Sequence, residues 1–229
     1  MSIQDNIAQI RASIAAACAR SGRDPGEVRL VAVSKTKPAE LIEAAAATGQ
    51  TLFGENYVQE FLEKVDQVTA PVEWHFIGSL QSNKVKYLPG KVTMIHSLDR
   101  LSLAKEMDRQ WGKWGRQLNV LLEVNLGAEE SKAGTTEAAL FELARQVAAL
   151  PHLHIRGLMA LPPWLEDPEQ VRPYFRRLRE LAAGISELHI PGVEMTELSM
   201  GMSHDFEVAI EEGATLVRVG TAIFGERTR

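Results

Sequence analysis

Residues 28–49 read VRLVAVSKTKPAELIEAAAATG, and this stretch holds one full repeat of the architecture. Its first six positions are aliphatic apart from Arg29, without strict polar alternation, as in a strand buried on both faces. Ser34, Lys35, Thr36 and Lys37 interrupt the run, Pro38 opens a helical pattern, and Gly49 follows its last apolar turn. Proline at a helix start and glycine just past its end are the usual boundaries. Strand, polar turn and helix in succession make one βα unit.

The unit recurs. Further strands are expected at TLFG (51–54), VEWHFIG (72–78), TMIHS (93–97), LNVLLEVN (118–125), LHIRGLM (153–159), MTELSM (195–200) and TLVRVG (215–220). Amphipathic or alanine-rich segments lie between them, among them YVQEFLEKVDQV, RLSLAKEMDRQWGKW, TTEAALFELARQVAAL and DPEQVRPYFRRLRELAAGI, the last ending near Gly184. Residues 2–20 form an additional helix before the first strand. Eight alternations without a break in composition predict an α/β fold, a parallel (β/α)₈ TIM barrel occupying residues 1–229 as a single domain. An open doubly wound sheet is the alternative.

Bulk composition narrows the function. The 229 residues are 45% hydrophobic and carry a net charge of −5, with no long basic run. That balance argues against nucleic acid as a partner. The densest basic cluster, Arg172, Arg176, Arg177 and Arg179, reads as a solvated helix face. The single cysteine, Cys18, forms no internal disulfide and suits a reducing compartment. No apolar stretch approaches the roughly 20 residues that span a bilayer, and the first residues lack a signal peptide's apolar run. A cytoplasmic protein without membrane contact is expected.

Barrel chemistry collects at the C-terminal ends of the strands. Here those ends carry Ser34-Lys35-Thr36-Lys37, Gly54-Glu55-Asn56-Tyr57, GSLQSNK (78–84), Asn125, Gly157-Leu158-Met159, SMGMSHD (199–205) and RVGTAIFG (218–225). Small, amide and hydroxyl residues concentrate there, which points to one ligand pocket. The last two loops, with Ser199, Gly201, Ser203, Gly220 and Thr221, suit an anion such as phosphate: glycine admits the backbone, hydroxyls donate, and helix starts have spare N–H groups. The plainer reading makes these residues caps and turns. A lysine leaving the first strand toward a pocket is partly desolvated, which favours the nucleophilic amine. Alternation from Val31 and Val33 puts Lys35 on the inner face and Lys37 outward.

Taken together, AVSKTKP, FGENYVQE, WHFIGSLQSNK, SKAG, RGLMA, LSMGMSHDFEVAI and VRVGTAIFG resemble the YggS/PROSC family, the pyridoxal phosphate homeostasis proteins, in register from Val28 to Gly225. The resemblance implies the type III pyridoxal-phosphate barrel shared with the N-terminal domain of alanine racemase. It implies that Lys35 holds pyridoxal 5′-phosphate (PLP) as a Schiff base. It places Ser199, Gly201, Ser203, Gly220 and Thr221 at the phosphate, Arg218 opposite the pyridine nitrogen, and Asn56 near the ring edge. Read without the family, Arg218 would pair with a carboxylate such as Glu226.

Two functions follow. The favoured one is a PLP-binding protein that buffers or delivers the cofactor, affecting amino-acid and vitamin B6 balance, acting as a monomer and serving PLP-dependent apoenzymes. The alternative is an amino-acid racemase, which needs a second acid/base group beside Lys35; Tyr57, His75 and His204 are the in-chain candidates. A regulatory protein using PLP as a sensing ligand is a third. His152 and His154 share a strand face without a metal-binding pattern around them, so no metal is expected.

Overall fold

The computed structural model describes residues 2–127 and 133–226. Eight parallel strands close into a barrel in chain order: β1 (Arg29–Val33), β2 (Leu52–Glu55), β3 (Glu73–Phe76), β4 (Met94–Leu98), β5 (Leu118–Val124), β6 (Leu153–Ala160), β7 (Val193–Met202) and β8 (Leu216–Val219). The ring closes where β8 pairs with β1, Leu216 beside Arg29 and Val219 beside Ala32. All eight expected strands are present, and the open sheet is not formed.

Helices cover the outside: α1 (Ile3–Ser21), α2 (Ala39–Ala46), α3 (Val58–Val65), α4 (Leu101–Trp114), α5 (Glu137–Ala148), α6 (Arg172–Ser186), α7 (Phe206–Glu211) and α8 (Thr221–Phe224). The first starts on a reciprocal cap, in which Ser2 Oγ accepts from the Asp5 N–H and Asp5 Oδ2 accepts from the Ser2 N–H. It ends at Gly22 in the left-handed conformation that glycine alone adopts freely. Its buried stripe of Ile7, Ile10, Ile14, Ala17 and Cys18 explains why the cysteine is enclosed.

Two expectations need correction. Between β3 and β4 the chain makes a 3₁₀ segment, Ser82–Tyr87, instead of an α-helix; Pro89 and Gly90 leave no room for further turns. The end of α6 falls near Gly184 as expected, at Ser186, and that glycine also serves a close helix crossing: a Cβ there would sit 3.3 Å from Phe141 of α5. The arginines of α6, by contrast, are not simply solvated. Arg172, Arg176 and Arg179 all reach the buried carboxylate of Glu212, and Arg177 pairs with Glu137 and Glu180.

The main apolar core lies between sheet and helices. Inside the barrel a smaller apolar group, Val31, Leu52, Met94, Leu121, Met159 and Leu216, fills one level. At β3 and β7 this level holds polar residues instead, His75 in register with Met94 and Ser199 in register with Met159 and Leu216. Above it, a Cβ at Gly54 would stand only 2.8 Å from Val31 and 2.9 Å from Ile77, so glycine is what the barrel accepts beneath its C-terminal mouth.

Candidate functional site: the C-terminal mouth of the barrel

A cavity of about 430 Å³ opens at the C-terminal ends of the strands. Of the sequence-derived residues, Lys35, Asn56, Ser203, Arg218, Gly220 and Thr221 all line it. Its walls are Val33, Ile77, Leu161, Trp164 and Met202. One polar floor and apolar sides suit a flat, partly aromatic molecule with a charged end.

Strand phase places the two lysines as alternation requires. Lys35, half-buried, continues the inner face of Val31 and Val33 into the cavity. Lys37 turns outward, where its Nζ donates to the carbonyl oxygens of Phe224, Gly225 and Glu226 at 3.1, 3.1 and 2.8 Å. It thereby caps the C-terminal end of α8. Between them Thr36 adopts φ of 63°, unusual for a β-branched residue. Its N–H donates to Glu60 Oε1 at 2.5 Å, and that carboxylate is held by Lys64 at 2.6 Å.

Lys64, Glu55 and Ser34 form the buried brace behind Lys35. The Lys64 ammonium donates to the Ser34 carbonyl at 2.8 Å and to Glu55 Oε1 at 2.7 Å, and Ser34 Oγ donates to the same oxygen at 2.6 Å. Burial pushes the Glu55 carboxyl above its usual range while Lys64 pulls it back. Sequence reading missed this brace, since Glu60 and Lys64 lie in an ordinary amphipathic helix.

At the floor, Arg218 is buried and does not pair with Glu226. It donates to Ser199 Oγ at 2.5 Å and to the Ala160 carbonyl at 2.9 Å. Burial lowers its pKa to about 10, with Glu123 and Asp205 pulling the other way, so it stays charged at neutral pH. Glu123 itself, buried beside Arg218 and repelled by Asp99, is pushed up to about 7.

Two of the expected residues lie outside the lining. Ser199 is fully buried beneath the cavity, bonded to Arg218 and to His96. Gly201, at φ of 88°, sits where β7 shifts register between Ser199 and Met202; a Cβ there would meet Ala209 at 2.6 Å and Phe206 at 2.9 Å. Its glycine serves the close approach of α7, and the turn between β7 and α7 presents Ser203, His204 and Asp205 to the mouth. Asp205 Oδ1 accepts the Met202 N–H at 2.6 Å and pins that loop. Ser203 Oγ and Thr221 Oγ1 stand 3.2 Å apart across it.

Sequence reading also missed Trp164, which stacks on His204 with centroids 5.6 Å apart. The exposed tryptophan within LPPWLEDP was the available signal. Tyr57 is exposed outside the cavity, and His75 is enclosed in the barrel. Among the described residues no group of three His, Cys, Asp or Glu is placed to hold a metal ion; His152 pairs with Asp108 and His154 with Glu194. Half of the SKAG motif, Ser131 and Lys132, lies outside the described residues. No helix among them is long and apolar enough to cross a membrane.

The (β/α)₈ barrel with a lysine at its rim belongs to the alanine racemase N-terminal class by its sequence match. A family model of that description, "Alanine racemase, N-terminal domain", matches residues 3–228. Within it the chain belongs to the family of pyridoxal phosphate homeostasis proteins: it is 49% identical over 228 residues to the one from Aquifex aeolicus, covering 99% of each chain. Among solved structures, PipY of Synechococcus elongatus with PLP bound superposes with a TM-score of 0.87 at 37% identity, over 98% of this chain and 100% of that one. Alanine racemase of Clostridium difficile, 10% identical with a TM-score of 0.76, shares the fold over 98% of this chain and 56% of its own.

Proposed function

We propose that the chain binds PLP in the C-terminal cavity and serves pyridoxal phosphate homeostasis, holding and releasing the cofactor without a turnover reaction of its own. The observation that carries this reading is convergence: a primary amine (Lys35), a buried cation (Arg218) and two hydroxyls beside a glycine (Ser203, Thr221, Gly220) line one cavity. The PLP bound in PipY and the name of the Aquifex aeolicus relative support it.

The residues fit the group. Asn56 Oδ1 is buried without a hydrogen-bond partner among the described residues, an acceptor awaiting a donor. Gly220 lines the cavity beside the two hydroxyls, and packing favours glycine there, since a Cβ would stand only 3.2 Å from the Val33 carbonyl. Ser203 and Thr221 add hydroxyl donors, and Lys35 supplies the amine that would hold the cofactor covalently. Arg218 has donors and no lone pair, so it would bond the ring nitrogen without protonating it. When bound, PLP supplies an amine-reactive aldehyde and an electron-withdrawing ring.

Racemisation is the weaker reading because it needs a proton donor on each face of the ring. Of the three candidates only His204 lines the cavity, and its Nε2 lies 3.0 Å from the Glu166 carbonyl while its ring stacks on Trp164. Delivery to PLP-dependent apoenzymes by a monomeric, single-domain chain in the cytoplasm completes the proposal. Titrating the protein with PLP and following visible absorption tests binding: a saturable band that Lys35→Ala abolishes is expected, and an unaltered band would refute the role of Lys35. Transfer from loaded protein to an apoenzyme, with and without a dialysis membrane between them, separates release from direct hand-over.

A further inference from the structure

Five polar residues form a continuous chain through the barrel interior. Arg218 Nη1 donates to Ser199 Oγ at 2.5 Å, and Ser199 Oγ lies 2.9 Å from His96 Nδ1. His96 Nε2 lies 2.9 Å from His75 Nδ1, and His75 Nε2 lies 3.0 Å from Glu73 Oε1. Arg218, Ser199, His96 and His75 are all buried. Glu73 stands half-buried at the opposite mouth, where it also accepts from Thr93 Oγ1 at 2.8 Å. There it helps line a second cavity of about 350 Å³ with Arg11 and Arg29.

With both histidine rings neutral, counting protons along the chain leaves one arrangement. Arg218 can only donate, and an ionised Glu73 can only accept. A serine hydroxyl that accepts from Arg218 has its single proton left for His96 Nδ1. A neutral His96 then carries its proton on Nε2 and gives that bond to His75 Nδ1. His75 in turn carries its proton on Nε2, facing Glu73. Reversing any member would set two lone pairs or two protons against each other in a buried site.

The neutral state of both rings has a physical cause. Burial lowers the pKa of His75 and His96, and for His96 the neighbouring His75, Arg218 and Arg29 act in the same direction. Glu73 and Glu197 face His75 and favour its charged form, and Arg29 opposes them. Glu73 is lowered to about 2, chiefly by its bond to His75.

We propose that Glu73, at the far mouth of the barrel, orients and polarises Arg218 in the ligand pocket through this one-way chain of donors, making Glu73, His75, His96 and Ser199 positioning residues for the pocket floor. A carboxylate and a guanidinium too far apart to touch are thus connected through three neutral groups, and the pocket floor becomes sensitive to what happens at the opposite end. Only the consequence for bound PLP rests on the function proposed above; the chain itself does not.

Nitrogen-15 correlation spectra of the histidine rings in the full chain without PLP test the wiring directly, with His96→Asn used to assign the two rings. Both rings should carry their proton on Nε2 and stay neutral at neutral pH. Either ring found with a proton on Nδ1, or charged at neutral pH, would overturn the chain whatever PLP does. The second arm is PLP affinity and the pH titration of its visible absorption in Glu73→Gln and Ser199→Ala. Both variants should weaken binding about tenfold, as loss of one charge-assisted bond does, and should move the titration midpoint in the same direction. A midpoint moved by Ser199→Ala and unmoved by Glu73→Gln would remove Glu73 from the proposal.

Discussion

Lys64 Nζ lies 2.8 Å from the carbonyl oxygen of Ser34, the residue immediately before Lys35. The nucleophile proposed here therefore leaves a backbone braced from behind by a buried ammonium, itself held between Glu55 and Glu60. Replacing Lys64 by Met should strand the Glu55 carboxylate without its cation and cost about 3–5 kcal/mol. Adding Glu55→Gln to it should recover part of that loss, because an uncharged amide no longer needs the cation. Urea unfolding of the single and double variants measures both; a Lys64→Met protein as stable as wild type would contradict the brace.

Thr36 stores strain beside Lys35. A left-handed conformation costs an L-residue about 1–2 kcal/mol, and glycine's extra unfolded-state freedom costs about 0.5–1. Thr36→Gly should accordingly be neutral or stabilising by up to about 1 kcal/mol in thermal unfolding. A clear destabilisation would mean that the threonine side chain makes a contribution this account lacks.

Gly201 should tolerate nothing larger. Gly201→Ala places a methyl 2.6 Å from Ala209 Cβ and keeps φ at 88°, so a loss of about 2–3 kcal/mol is expected from overpacking and backbone strain together. PLP affinity should fall as well, because the turn leading into α7 carries Ser203 into the mouth. Stability and affinity measured on the same preparation check the pair of effects.

Two opposed contributions should change stability with pH below neutrality. Glu123 is raised in the folded state from 4.5 to about 7, so the folded chain binds the proton more tightly. Stability is then greatest below pH 4.5 and falls as pH rises toward 7, by about 3 kcal/mol in all. His75 and His96 act oppositely: their folded values lie below 6.5, so stability drops as pH falls below that value and the unfolded chain takes up protons. Glu123→Gln should stabilise at pH 8 by about 2–3 kcal/mol and change little at pH 4. Some decline with rising pH should remain in that variant, since burial also raises Glu55 and Asp205.

The barrel was legible because parallel strands covered on both faces appear as apolar runs, and alternation from Val31 carried the phase correctly to Lys35. The pocket was legible where its residues close strands, as Asn56, Ser203, Arg218 and Thr221 do. The interior chain was not. His75 and His96 alternate within β3 and β4 as an outward polar residue would, and only the closed topology reveals that they face inward. Ser199 and Gly201 were read as ligand contacts because a register shift at the end of β7 is invisible in a run of small residues. Trp164 was missed for a different reason: its segment belongs to no strand, and only packing on His204 ties it to the mouth.

The central claim is that an aldehyde cofactor joins the chain at Lys35. Borohydride reduction of the PLP-saturated protein, followed by peptide mapping, tests it most directly. A single pyridoxyl adduct on Lys35 is the result this account requires. An adduct on Lys37, or reduction leaving Lys35 unmodified at saturation, would contradict it.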